Sequence, residues 1–197
     1  MLARRLAQLY GGLVLYGVSV SLILLSGLGN DPWDVFHQGL SRHTGIGTGW
    51  WVCIVGALVL LLWIPLKQKP GLGTVSNVIV IGVAVEVMLA LFDQASELGV
   101  QVALLVSGVV LNGVATGMYI GARFGPGPRD GLMTGLARRG HSVRVVRTGI
   151  ELSVLVAGAL LGGTVGVGTL VYALSIGPLA HFFLPAFTIR SPLPQPI

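Results

Sequence analysis

A chain of 197 residues that is 53% hydrophobic and only 10% charged, with a mean hydropathy of +0.86, is far from a soluble domain, where about a quarter of residues are charged. The formal charge of +5 would suit a nucleic-acid partner in a polar protein, but here its placement reads as membrane orientation and excludes nucleic acid as a partner. The single cysteine, Cys53, rules out an intrachain disulfide and a multi-cysteine metal centre.

The first apolar stretch follows Arg4 and Arg5 and runs to about Leu28. No small-residue cleavage site follows a short apolar region, so it is expected to stay as a first span. Six apolar segments, near 7–28, 49–66, 72–92, 99–122, 146–163 and 167–187, are long enough to cross about 30 Å of hydrocarbon at 1.5 Å per residue. The fifth carries Arg147 and Glu151 in its first turns. Residues 191–197 hold three prolines and form a Pro-rich extended tail.

With six spans and the N-terminus inside, 11 of the 12 Lys and Arg residues, Arg190 among them, face the cytoplasm and only Arg42 faces out. Both termini are therefore expected on the cytoplasmic side of the membrane. Trp50, Trp51 and Trp63 near span ends suit an aromatic belt. Asn77 and Asn112 are expected as hydrogen bonds between helices, and Arg147 with Glu151 as a local ion pair.

One motif occurs twice, 96 positions apart, as Pro-x-Asp, four residues, then Gly-Leu-x-Arg. The copies hold Pro32, Trp33, Asp34, Gly39 and Arg42, then Pro128, Arg129, Asp130, Gly135 and Arg138. Residues 9–43 laid on 105–139 give 12 identities in 35 positions, and residues 71–92 on 166–187 give 7 in 22. Each half then holds three spans and a motif. Three is odd, so the second half enters the membrane from the opposite side. The fold class expected is an all-α polytopic membrane protein of six transmembrane helices, built as two inverted three-helix repeats (1–95 and 96–190), each with a short interfacial or re-entrant helix.

Each motif reads as a helix of about a dozen residues with Pro at its first position, Asp31 or Gly127 as cap, and Asp34 or Asp130 near the free N–H groups. Two readings stand side by side. In one, the motifs are amphipathic helices lying in the interface. In the other, they are half-helices dipping from opposite faces towards a shared polar cavity, with Gly39 and Gly135 allowing close approach. There Asp34 and Asp130 would bind a cation or a proton, Arg42 and Arg138 would hold an anionic group, and Trp33 and Arg129 would complete the binding set. Glu86 and His181 occupy equivalent repeat positions and are candidate coupling residues, because ionisable groups inside spans are costly and tend to be functional.

Other chemistries find little support. His37, His43, His141 and His181 have no metal-ligand spacing, and neither a Gly-x-Ser-x-Gly elbow nor a phosphate loop is present. No enzyme activity, catalytic residue, metal or cofactor is expected. The segments 29–35 (Gly-Asn-Asp-Pro-Trp-Asp-Val) and 127–133 (Gly-Pro-Arg-Asp-Gly-Leu-Met) resemble the paired motifs of bacterial YczE-like membrane proteins, related to the YitT group. That resemblance implies a bacterial plasma-membrane protein, and it carries no substrate or catalytic residues over. The functional expectation is a small-solute permease with its site between the repeats. The alternatives are a non-transporting accessory protein for an envelope or secondary-metabolite pathway, and a substrate-capture subunit with an energising partner. Expected partners are membrane lipids, a small-molecule or ion substrate, and a second copy or a partner subunit.

Overall fold

The computed structural model describes residues 1–189; Arg190 and the tail at 191–197, both given a place above, lie outside the described residues. Among these the chain is entirely helical: α1 (Leu2–Ser26), α2 (Pro32–Thr44), α3 (Thr48–Trp63), α4 (Leu72–Leu91), α5 (Leu98–Gly121), α6 (Pro128–Ala137), α7 (Val143–Leu160) and α8 (Val167–Phe187).

Local chemistry sets the helix ends. α1 stops where Gly27 turns to a φ of 68° and its N–H donates to Leu24 O, a left-handed cap that glycine adopts without strain. α4 and α8 each start after a glycine, Gly71 or Gly166. The N–H of that glycine donates to the hydroxyl of Thr74 (3.1 Å) or Thr169 (3.3 Å) three residues on, as in one half of a capping box.

Four helices, α1, α4, α5 and α8, are long and apolar enough to cross a membrane. α2 and α3 are bent by 116° and would count together as at most one more span. The expected second span shrinks to α3, whose 16 residues reach about 24 Å, short of the roughly 30 Å hydrocarbon core. The expected fifth span is α7, which carries Arg144, Arg147 and Glu151 in 18 residues. Charge density in one case and length in the other separate these two helices from the four clear spans.

Glycines set how closely the long helices approach. α1 and α5 cross antiparallel: a Cβ on Gly12 would lie 2.9 Å from Tyr119 N, and one on Gly108 would lie 2.9 Å from Ser19 O. Near the ends of the same pair, Gln8 donates to Met118 O and Arg5 to Ala122 O. α4 docks on α1 where Gly17 meets Ala84, and α8 docks on α5 where Gly113 meets Leu179. Backbone contact of this kind replaces the hydrophobic drive that helices lack in lipid. α1 sits centrally, with 61% of its apolar window buried against 17% for α8.

The short helices cross over between the two halves. α2 packs on α7, where Gly158 lies under the backbone of Phe36, and α6 packs on α3, where the Trp63 ring covers Gly131. Trp63 is therefore a core residue, 2% exposed, donating Nε1–H to Pro128 O at 3.0 Å. The expected belt position fails because the helix end that carries it is covered by α6. Asn112 does bond between helices: its Nδ2 donates to Ser19 Oγ (2.9 Å), and its Oδ1 accepts from Tyr172 OH (3.1 Å).

Candidate functional site

The two motif helices bring their N-terminal turns to one cavity of about 230 Å³. Pro32 opens α2, and Asp31 Oδ1 accepts from the N–H groups of Trp33 (2.8 Å) and Asp34 (2.9 Å). This satisfies two of the donors that a helix start leaves free. α6 opens in the same way at Pro128, but Gly127 supplies no side-chain cap. Trp33, Asp34 and His37 from α2 line the cavity beside Gly127, Pro128, Arg129 and Asp130 from the start of α6. Its walls are mainly aliphatic, from Val52, Val55 and Val59 of α3 and Val78 and Ile81 of α4, with Tyr16, Tyr119 and Tyr172 adding rings.

The motifs meet at its wall. Arg129 stands 3.9 Å from Asp31 Oδ1 through Nη1 and 3.7 Å from Asp34 Oδ1 through Nη2. Its guanidinium carbon lies 5.0 Å from the centre of the Trp33 ring, within cation–π range. These ion pairs are longer than hydrogen bonds, so the guanidinium neutralises the two carboxylates without being locked to either. Asp34 and Asp31 are 3% and 4% exposed, a degree of burial that carboxylates reach only with counter-charges or donors. Asp34 Oδ1 also meets His37 Nδ1 at 3.0 Å, and Asp130 Oδ2 accepts from Tyr119 OH at 3.2 Å. Two buried carboxylates thus flank one guanidinium at the junction, and a third, that of Asp130, lines the same cavity.

Four of the six residues expected to bind substrate, Trp33, Asp34, Arg129 and Asp130, are brought together here. Arg42 and Arg138 are not. Arg42 is on the far end of α2, where it donates to Gly162 O and, at 3.0 Å, to Thr164 Oγ1 of the α7–α8 loop. Arg138 is exposed at the C-terminal end of α6. The motif's Arg sits eight residues and about 80° around the helix from its Asp, so the two ends of each helix serve different places.

Gly39 lies against Gly158 O of α7 and Leu161 just after it, as close approach requires, whereas Gly135 faces Gln68 and Leu66 of the α3–α4 connection. Glu86 is half-buried and accepts from Gly49 N at 3.0 Å, while His181 is exposed on α8. Arg147 donates to Glu151 at 2.8 Å, the expected local pair, and also lines the cavity.

His37 and Tyr119 join the site without having been expected there. His37 sits three residues after Asp34, a spacing that places both on one helix face, and this was the available signal. Tyr119 lies near the end of an otherwise apolar span, and nothing local marks it.

The chain is similar to several bacterial proteins over most of its length. It is 41% identical to an uncharacterised protein of Haemophilus influenzae over 173 residues, 87% of this chain and 79% of that protein. It is 35% identical to the Bacillus subtilis uncharacterised membrane protein YczE over 179 residues, 89% of this chain and 83% of that one. It is 29% identical to B. subtilis YyaS over 184 residues, covering 89% and 90% of the two chains. No solved structure matches it. With residues 3–185 also matching a family of unknown function, DUF6198, the chain belongs to that YczE-like family and is a helical membrane protein.

Proposed function

We propose that the protein is a small-solute permease whose binding site is the cavity between two inverted repeats, and that it favours a small cation or the cationic end of a solute. The observation that carries this reading is a guanidinium held loosely between two buried carboxylates, with a third carboxylate, Asp130, lining the same cavity, which both motif starts line. With Arg147 already paired to Glu151, Asp31, Asp34 and Asp130 at the two motif starts outnumber Arg129 and leave an excess of negative groups in surroundings of low dielectric. A bound cation or a proton balances such an excess at far lower cost than leaving it exposed to aliphatic walls.

Several contacts support the repeat. Trp33 and Arg129, which stack, stand 96 residues apart at the same place in the two motifs. Gly12 and Gly108 are likewise 96 apart, and each packs against the other's helix. Gly29 and Gly125 have φ of 117° and 115°, and each abuts the glycine and threonine that start the last helix of the opposite half. Antiparallel crossing of α1 with α5 is what an inverted pair requires, and many secondary transporters are built so. In this reading both termini are cytoplasmic, the membrane is the bacterial inner one, and no catalysis takes place.

The test is a thermal-unfolding screen of purified protein against alkali cations, guanidinium and small amines. A ligand at a hundred times its Kd stabilises by about 2.7 kcal/mol, seen as a raised midpoint. The shift is expected to vanish in Asp130→Asn and to be followed by uptake of the same ion into proteoliposomes. Binding without uptake would indicate a capture subunit, and no binding across the panel would favour the accessory role.

A further inference from the structure

We propose that the helix pairs α3–α4 and α7–α8 are the two gates of the cavity, shut on the first side and open on the second in this structure, with Glu86 as the latch of the shut gate. This rests on the inverted-repeat reading above. α3 and α7 begin 95 residues apart, at Thr48 and Val143, and so do α4 and α8, at Leu72 and Val167. The two pairs are therefore comparable position by position.

On the shut side the helices are in backbone contact. A Cβ on Gly82 would collide with Cys53 Sγ and lie 2.6 Å from Gly49 O, and one on Gly56 would lie 3.1 Å from Val78 Cγ1. Glu86 Oε2 accepts from Gly49 N–H at 3.0 Å, so a carboxylate of α4 sits at the positive start of α3. The other side differs at each equivalent position. Gly177, 95 residues after Gly82, is exposed, and a Cβ there would meet nothing within 4 Å. α7 carries Thr148 and Glu151 where α3 carries Cys53 and Gly56. It packs on α2 and α6, not along α8 as α3 packs along α4. Arg147 of α7 and Gly177 of α8 both line the cavity and are both exposed, so the cavity reaches the surface between those helices.

Contacts made through glycine backbone are lost over a fraction of an ångström, so such a pair is either seated or parted. The exchanged packing links the two gates. α2 rides on α7, α6 rides on α3, and both begin at the Arg129–Asp34 junction. Swinging α7 onto α8 carries α2 with it, shifts the junction, and draws α3 from α4 through α6. Glu86 and His181 are then one position on two gates, not a touching relay.

The test uses a Cys53→Ala background carrying two pairs at once, Gly56→Cys/Val78→Cys and Thr148→Cys/Gly177→Cys. The first pair places its Cβ atoms 3.5 Å apart in the observed state, within disulfide range. After mild oxidation in native membranes, remaining thiols are counted by gel shift with a maleimide polymer. The expected result is one bridge and two free thiols per molecule, with either pair able to bridge when present alone. Molecules holding both bridges, or a second pair that never bridges, would overturn the gates.

A simpler variant covers failure of the fivefold mutant to fold. Cys53→Ala/Gly177→Cys should react with a small maleimide, and adding Glu86→Ala should slow that reaction about tenfold by releasing the shut gate. An unchanged rate sinks the latch. Exclusive bridges with no solute uptake would leave the gates standing and remove the permease; double bridges with a retained ligand shift would do the reverse.

Discussion

Arg129 of the second motif reaches the first. Arg129→Ala removes the counter-charge from Asp31 and Asp34, which are both buried, and unpairing a buried charge costs about 3–5 kcal/mol. The expected outcome is a marked drop in the unfolding midpoint in detergent, larger than for Arg138→Ala at its exposed site. Equal losses for the two variants would show that the junction contributes no special stability. Trp63→Phe tests a second buried group. It keeps a ring against Gly131 but leaves Pro128 O without its donor, and is expected to cost about 1–3 kcal/mol by the same measurement. The parts of the site that could be read from the chain were the local ones. Pro32 and Asp31 announce a helix start whatever surrounds them, and Asp34 follows from position alone. The Arg129 pairing joins residues nearly a hundred apart, so no window of sequence contains it. Trp63 was misread for a related reason: its place near a span end was local knowledge, whereas α6 lying over it was not.

Among the helices, glycine contact decides what can be substituted. Gly158→Ala would put a methyl group 2.5 Å from Phe36 N, so α2 and α7 must separate, at about 1–3 kcal/mol for an overpacked contact. Gly177→Ala meets open space and should be neutral or stabilising by about 0.5–1 kcal/mol, since alanine suits a helix better than glycine. Paired unfolding measurements check both signs. A loss of uptake in Gly177→Ala without loss of stability would fit a position that must pack in a second conformation. Both glycines are visible in the sequence, but their difference is not, because glycine in lipid serves close packing and open space alike. The bend between α2 and α3 is half legible: Gly45, with a φ of 75°, and Gly47 are residues that suit a turn, while the shortness of α3 emerges only once its end is fixed beneath α6.

Over the whole molecule, the placement of Lys and Arg predicts which side each loop faces. Single cysteines introduced in a Cys53→Ala background at Ser96 and His141, both exposed, should label from opposite sides with an impermeant reagent, His141→Cys only from the cytoplasm. Labelling of both from one side would end the inverted reading. The repeat itself was legible because its matched glycines, prolines and aspartates recur at fixed offsets. The number of spans was not, because hydropathy scores a segment's composition and does not register where a neighbouring helix holds it.

The exchange of short helices has a consequence for synthesis. α2 makes its most extensive packing on α7, and Arg42 anchors to Gly162 and Thr164 across 120 and 122 residues of chain. While the ribosome extends the first half, Asp31 and Asp34 have no Arg129 to face, so the first motif cannot complete its packing. Its docking is thus expected to be a late event that follows the arrival of the second half. A chain halted before α7 should remain a substrate for membrane quality-control proteases however many apolar spans it already contains. Supplying the second half as a separate polypeptide should rescue it.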